Sequence, residues 1–254
     1  MFAMILKLPS GSSLFAAILF PAVATILWAA PQPTADVPPT LATSKAVKSS
    51  LTLAFTDNFN GPDGTNSGVG WTQAAHYGVV HAQILHHGFY FEIPDGHDIP
   101  WGSATLDLKD PSILGHGLHP GDYFEVTLRR LSQEGGLGVE LFDSDQLRVG
   151  SDLSRGASAL MAWNGRTWVP IAFDQQGTPS KFDWNARHTI GVRFDSADGQ
   201  HADFSYYLDG RYVGSRAVNW PETVLDKIGV YTQSKTSHAR FEFRELKVYT
   251  VPRS

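Results

Sequence analysis

Apolar side chains recur at every second position through this chain, and a period of two restricts the fold more than any other feature. GFYFEIP puts Phe89, Phe91 and Ile93 on one side and Tyr90 and Glu92 on the other. DYFEVTLRRL groups Phe124, Val126 and Leu128 opposite Glu125, Thr127 and Arg129. HTIGVRFD groups Ile190, Val192 and Phe194 opposite Thr189, Arg193 and Asp195. One apolar and one polar face is the pattern of a half-buried antiparallel strand. No stretch of a dozen residues carries a helical stripe; only Glu222–Lys227 suits a single helical turn.

Turn chemistry agrees. Asn164-Gly165 lies between SALMAW and RTWVPIAF, and Asp209-Gly210 between FSYYL and RYVGS. Both pairs accept the positive φ that a two-residue hairpin demands. With Asp209-Gly210 as the turn, Leu208 pairs with Arg211, Tyr207 with Tyr212 and Tyr206 with Val213. Phe204, Tyr206 and Leu208 then enter the core. The closing segment ARFEFRELKVYT changes parity, with Phe241 and Phe243 followed by Leu246 and Val248. That switch predicts a bulge at Arg244–Glu245. About 12 to 14 short strands with few helices make an all-β fold of two packed antiparallel sheets, a β-sandwich.

The first residues have a different character. One lysine, Lys7, precedes the apolar run Leu14–Ala30, with small residues at Ala22-Val23-Ala24 and Ala29-Ala30. This is the pattern of a secretory signal peptide over residues 1–30, and the alternative is a retained N-terminal anchor. Residues 31–50 are rich in Pro, Thr, Ser and Ala and are expected to be a linker. One domain, 51–254, follows. The formal net charge of −5 argues against a nucleic-acid partner, and nothing beyond the N-terminus is long and apolar enough to span a membrane. The chain has no cysteine, which excludes disulfides, thiolate metal sites and a cysteine nucleophile.

The order of three segments carries a resemblance. FTDNFNGPDGTNSGVGWTQ opens the domain, HTIGVRFDSADGQHADFSYYLDGRYVGS lies in its last third, and IGVYTQSKTSHARFEFRELKVY closes it. Together they resemble the concanavalin A-like lectin/glucanase superfamily, in its laminin-G-like jelly-roll branch. The resemblance implies a concanavalin A-like jelly roll that binds carbohydrate or, in some branches, cleaves polysaccharide. It also implies a structural calcium tying the first strand to the last. Asp57 matches the acidic position near the first strand, and Glu245 stands where an Asp-Asn pair is more usual. No other cofactor is expected.

Laminarinase-type relatives carry paired carboxylates on one strand, at a spacing that points both into one cleft. Here GVELFDSDQLRVG offers Glu140, Asp143 and Asp145. Glu140 and Asp143 are three apart, which puts them on opposite faces of a regular strand. The Asp-Ser-Asp piece has the composition of a strand end and turn. Histidines gather at 76, 81, 86, 87, 97, 116 and 119, but no third ligand completes a zinc spacing around His116 and His119. A His–Tyr pair for lysis, His76 with Tyr77 or Tyr207, is a further arrangement. No G-x-S-x-G elbow, phosphate loop or dinucleotide fingerprint occurs.

Aromatic residues are the stronger signal. Trp71, Trp101, Trp163, Trp168, Trp184 and Trp220 all lie in the domain, and sugar rings stack their CH faces on such side chains. Trp101 follows Pro100 in an expected loop, and Trp163 and Trp168 flank Asn164-Gly165. Tyr207 and Tyr212 form a cross-strand pair that stabilises the hairpin and offers a further surface. The residues assigned to ligand binding are Trp101, Trp163, Trp168, Tyr207 and Tyr212. The leading reading is an exported carbohydrate-binding or adhesion-type module without catalysis. A secreted polysaccharide-degrading enzyme, hydrolase or lyase, is the alternative, and a structural envelope domain is a third.

Overall fold

The computed structural model describes residues 43–65, 70–132, 135–143, 146–153, 159–163, 168–172, 183, 185–219 and 224–253. Fifteen strands and one short helix lie among them. The larger, eight-stranded sheet is led by β13 (Arg211–Asn219), β12 (His201–Leu208), β11 (His188–Ala197) and β6 (Tyr123–Arg130). It continues through β15 (Ala239–Thr250), β4 (Gly88–Ile93) and β3 (His81–Leu85), and β1 (Thr52–Asp57) pairs with the second half of β15. The seven-stranded sheet begins β10 (Trp168–Ala172), β9 (Ala159–Trp163) and β8 (Gln146–Leu153). It continues β7 (Gly136–Asp143), β14 (Lys227–Gln233), β5 (Trp101–Asp107) and β2 (Trp71–Tyr77).

The ladders are antiparallel throughout. The alternation has the expected cause. Phe89, Phe91, Phe124, Val126, Phe241 and Phe243 from one sheet meet Leu106, Val139, Leu141, Ile228 and Val230 from the other in one buried cluster. The fold is the expected two-sheet all-β sandwich.

Several local expectations hold. The register of β15 against β6 shifts between Phe243 and Glu245, so Arg244 is the extra residue. Phe204, Tyr206 and Leu208 are buried in the main core. Tyr207 faces Tyr212 and Leu208 faces Arg211 around a turn with φ of 51° at Asp209 and 79° at Gly210.

Others are corrected. Tyr206 lies opposite Gly214, not Val213, because the ladder shifts between Tyr206 and Tyr207. Trp163 pairs with Trp168, so the β9–β10 connection has four residues instead of two; the Asn164-Gly165 dipeptide itself lies outside the described residues. Val224–Lys227 is not helical: Leu225 bridges Leu118 with backbone bonds in both directions, and Lys227 opens β14. Glu222 lies outside the described residues.

The segment taken as the end of a linker is folded. α1 (Ser44–Lys48) starts at Thr43, whose hydroxyl accepts from the Ala46 amide. It lies on the outer face of the eight-stranded sheet, where Val47 packs with Tyr123 and Tyr207. Thr43 bridges Arg211, and the Ser44 amide donates to the Gly210 carbonyl at 2.8 Å. One valine among small polar residues carries too little periodicity to announce this from sequence.

Candidate functional site

Both sheets turn one face to the core and one outward, so functional side chains must come from the alternate positions. On the seven-stranded sheet, the core face takes Leu106, Leu141, Ile228 and Val230. The outward positions form rows across the strands. One row runs Trp168, Trp163, Gly150, Glu140, Gly229, Thr105, Thr72. Another runs Gly138, Tyr231, Ser103, Ala74, and a third Gly136, Gln233, Trp101, Tyr77. Trp101, Trp163 and Trp168, singled out from the sequence by residue type and by their places beside Pro100 and Asn164-Gly165, thus hold positions on one face. The side chains of Trp163 and Trp168 lie outside the described residues. From β9 to β5 is four strand spacings, roughly 19 Å.

The centre of this face is not open surface. Glu140, Phe142, Tyr231 and Ser103 are all buried. Glu140 has glycines as its direct cross-strand neighbours, Gly150 and Gly229, so no carboxylate faces it across either ladder. β7 ends at Asp143 and β8 starts at Gln146, in keeping with a strand end at Asp-Ser-Asp; Asp145 lies outside the described residues.

The rim beyond β5 is different. Trp101 is not in a loop: it is the first residue of β5, half-buried, opposite Gln233 on one side and Tyr77 on the other. Tyr77 is 48% exposed, Val79 58% and Ile99 54%. Gly78, at φ 69°, lies between Tyr77 and Val79 and packs on Pro100, the neighbour of Ile99; a Cβ there would approach the Pro100 Cβ to 2.5 Å. Asp98 and Ile99 both adopt positive φ, 59° and 56°. A β-branched residue in that region is strained. Val79 and Ile99 escaped sequence reading because exposed apolar residues in loops have no period, and Tyr77, the last residue of β2, was read only as a partner for His76.

The other predicted residues are placed as follows. Tyr207 is fully buried under α1, edge-on to Tyr123 and Tyr212, so it presents no face to a sugar; Tyr212 is half-buried beside it. Tyr207 and His76 stand on different sheets, so that His–Tyr pair is not formed. Trp71 belongs to the core, and Trp184 and Trp220 lie outside the described residues.

Asp57 accepts from the Phe59 amide and the Trp71 indole, each at 2.7 Å. It lies opposite Leu246, a core residue, while Glu245 is the next residue along and so points away, where it pairs with Lys247 at 2.7 Å. Asp57 and Glu245 therefore do not fit one calcium ion. No group of three or more metal-binding side chains occurs among the described residues. His116 and His119 instead share the Gly117 carbonyl through their Nδ1 atoms, at 2.8 and 2.9 Å.

The outer face of the eight-stranded sheet holds a cluster that sequence reasoning missed. Glu242, 0% exposed, accepts from Tyr90 at 2.6 Å and Arg244 Nε at 2.7 Å. Its other oxygen faces Arg129 Nε at 2.9 Å and Arg187 Nε at 3.4 Å. Burial alone would raise its pKa; the Tyr90 hydrogen bond and the Arg129 and Arg244 charges outweigh it and hold the carboxyl below its ordinary range. The available signal was parity: Glu242 alternates with Phe241 and Phe243, and Arg129 with Leu128.

No protein-family model matches the chain, and no curated protein does. Solved structures do. A glycosyl hydrolase family 16 protein from Mycobacterium smegmatis aligns with a TM-score of 0.51 at 14% identity, over 78% of this chain and 100% of that one. A beta-1,3-glucanase from Mycobacterium marinum aligns at 0.50 and 13% identity, over 77% and 98%. The CBM2 module of an evolved Dit protein from Lactobacillus casei phage J-1 aligns at 0.50 and 9% identity, over 81% and 98%. These likenesses are of fold, and the fold is the concanavalin A-like jelly roll.

Proposed function

We propose that this concanavalin A-like jelly roll is an exported carbohydrate-binding module without catalysis, and that its sugar lies against Tyr77 and Trp101. The observation that carries the reading is the rim patch itself. Two aromatic residues stand side by side on the outer face, with Tyr77 open to solvent and Ile99 held in a strained backbone beside them. An exposed apolar patch of this kind marks a binding surface, and its aromatic rings suit the CH face of a saccharide. Gln233, opposite Trp101, supplies an amide beside the rings, Thr72 and Thr105 lie two rows further along the same face, and positions 163 and 168 extend the face toward its far edge. The N-terminal apolar run directs export in this reading.

Binding modules and hydrolases share this fold, so the choice rests on side chains. A glycosidase needs two carboxyls roughly 5–10 Å apart across an open cleft. Glu140 is buried and flanked by glycines, which favours binding over hydrolysis.

The test is a glycan array on the purified protein beside Tyr77→Ala and Trp101→Ala, with a reducing-end assay on the glycans retained. Binding lost in both variants with no new reducing ends is the expected result. New reducing ends that vanish in Glu140→Gln would replace the module with an enzyme, and binding unaffected by either aromatic substitution would remove the site.

A further inference from the structure

The Glu242 cluster belongs to a row running straight across one end of the eight-stranded sheet. Gln83 pairs with Tyr90, Tyr90 with Glu242, and Glu242 with Arg129. Arg187, just before β11, completes it. The adjacent row is His81, Glu92, Arg240. Between them lies an open cavity of about 270 Å³, lined by His81, Gln83, Tyr90, Glu92 and Arg240 among others.

Among the described residues, charge is not balanced here. Four guanidiniums, of Arg129, Arg187, Arg240 and Arg244, stand against two described carboxylates, Glu92 and Glu242, in a chain whose net charge is −5. Arg244 is committed: besides Glu242 it donates to Tyr90 and to the His86 and His87 carbonyls. Arg129 and Arg187 are not. Each turns only its Nε to the same Glu242 oxygen, and neither has another hydrogen-bond or ion-pair partner among the described residues. Their side chains are 31% and 49% exposed. Glu242 thus acts as a buried anchor that holds two like charges side by side with their Nη donors unspent. A guanidinium presents those donors as a fork matched to a carboxylate or sulfate.

We infer that Arg129 and Arg187 form an oxyanion subsite, and that with the adjoining cavity they bind an acidic saccharide through its carboxylate or sulfate group. The cavity is small and open, with an imidazole, an amide and a phenol to meet hydroxyls and a ring face. That lining suits one acidic sugar unit better than a bare inorganic ion. The subsite lies on the opposite sheet from Tyr77 and Trp101 and does not depend on them.

The experiment is calorimetric titration of the purified protein with a galacturonate trisaccharide, a sulfated trisaccharide, a neutral glucose trisaccharide and inorganic sulfate. One acidic trisaccharide binding measurably, weakening as salt rises, and the neutral one binding at least tenfold more weakly is the expected pattern; which acidic arm binds identifies the oxyanion. Arg187→Gln and Arg240→Gln, both at exposed positions, should each weaken it about tenfold or more. Tyr77→Ala should leave it unchanged, which separates this subsite from the rim patch. Failure of both acidic sugars to bind, equal binding by both arginine variants and the unaltered protein, or loss of binding in Tyr77→Ala would each overturn the assignment. Inorganic sulfate binding as tightly as either trisaccharide would overturn its saccharide part.

Discussion

Lys48 reaches both carboxylate oxygens of Glu125 at 2.9 Å and so ties α1 to the outer face of the eight-stranded sheet. The ammonium also lies 5.3 Å from the Tyr249 ring centre. Val47, 3% exposed, fills the space over Tyr123 and Tyr207. Gly191 makes this possible: a Cβ there would lie 2.1 Å from the Tyr123 hydroxyl, so only glycine lets that ring lie flat across β11. Val47→Ala should therefore cost about 1.5–2.5 kcal/mol, and Lys48→Ala about 1 kcal/mol or less. Urea unfolding measures both. A protein beginning at residue 51 should be less stable than one beginning at 43, and equal midpoints would show that α1 does not contribute to the fold.

The β3–β4 turn offers a test of backbone strain. Leu85 pairs with Gly88, so the turn has two residues, His86 and His87, at φ 49° and 58°. Asn-Gly suits that geometry and histidine does not. Arg244 holds the turn from beneath by donating to both carbonyls. His87→Gly should raise stability by roughly 0.5–1 kcal/mol, and Arg244→Ala should lower it by more than that, since it also strips Glu242 of a partner. A thermal scan in which His87→Gly melts below the unaltered protein would contradict the strain.

Much of this architecture was legible because strands announce themselves by parity. Phe241 and Phe243 against Leu246 and Val248 located the Arg244 bulge, since every second residue must reach the core. The bulge between Tyr206 and Tyr207 was not legible, because Val213 and Gly214 give no parity conflict when the outer positions around them are half-buried in any case. The candidate rim was half legible. Trp101 stood out by residue type, whereas Tyr77 and Ile99 join it only through the β2–β5 register and the packing of Gly78 on Pro100. Glu242 was hidden for the opposite reason. An outward glutamate between two inward phenylalanines is the ordinary pattern of a solvated face, and only the meeting of β6, β15 and β4 shows that arginines surround it.

Glu242 makes a prediction about acid. Its folded pKa is lowered, so the unfolded chain takes up the proton first as pH falls. The stability it contributes is therefore present above its unfolded value near 4.5 and lost as pH drops through the lower folded value. Glu242→Gln removes that dependence and leaves Arg129 and Arg244 around a neutral amide. A loss of about 3–5 kcal/mol at pH 7 is expected, as for breaking a buried ion pair, with the difference from the unaltered protein narrowing below pH 4. A constant difference between pH 7 and pH 3 in urea unfolding would refute the coupling.

Asp195 predicts the reverse trend. Burial pushes its pKa up to about 6, against the lowering effects of the Ser205 hydrogen bond at 2.6 Å and of Arg193. The folded protein then keeps a proton that the unfolded chain releases near 3.8. That contribution is full below pH 4 and is lost as pH rises through about 6. Asp195→Asn keeps an amide where the protonated acid stood. Relative to the unaltered protein it should gain up to about 3 kcal/mol between pH 4 and pH 7. Parallel unfolding curves at the two pH values would show that the carboxylate is already ionised in the fold.

Ile99 joins stability to binding. Its φ of 56° is costly for a β-branched side chain, and 54% of its surface is exposed, so packing repays little of that cost. A purely structural loop would be better served by glycine or asparagine. Ile99→Gly should therefore raise stability, by about 1 kcal/mol. The same change removes apolar surface beside Tyr77 and Val79 and should weaken glycan binding several-fold, a trade of stability against function. Unfolding and binding measured on the same variant distinguish the cases. A more stable variant with undiminished binding would make the strain irrelevant to the rim site, and a less stable one would show that the isoleucine is held by packing and not for a ligand.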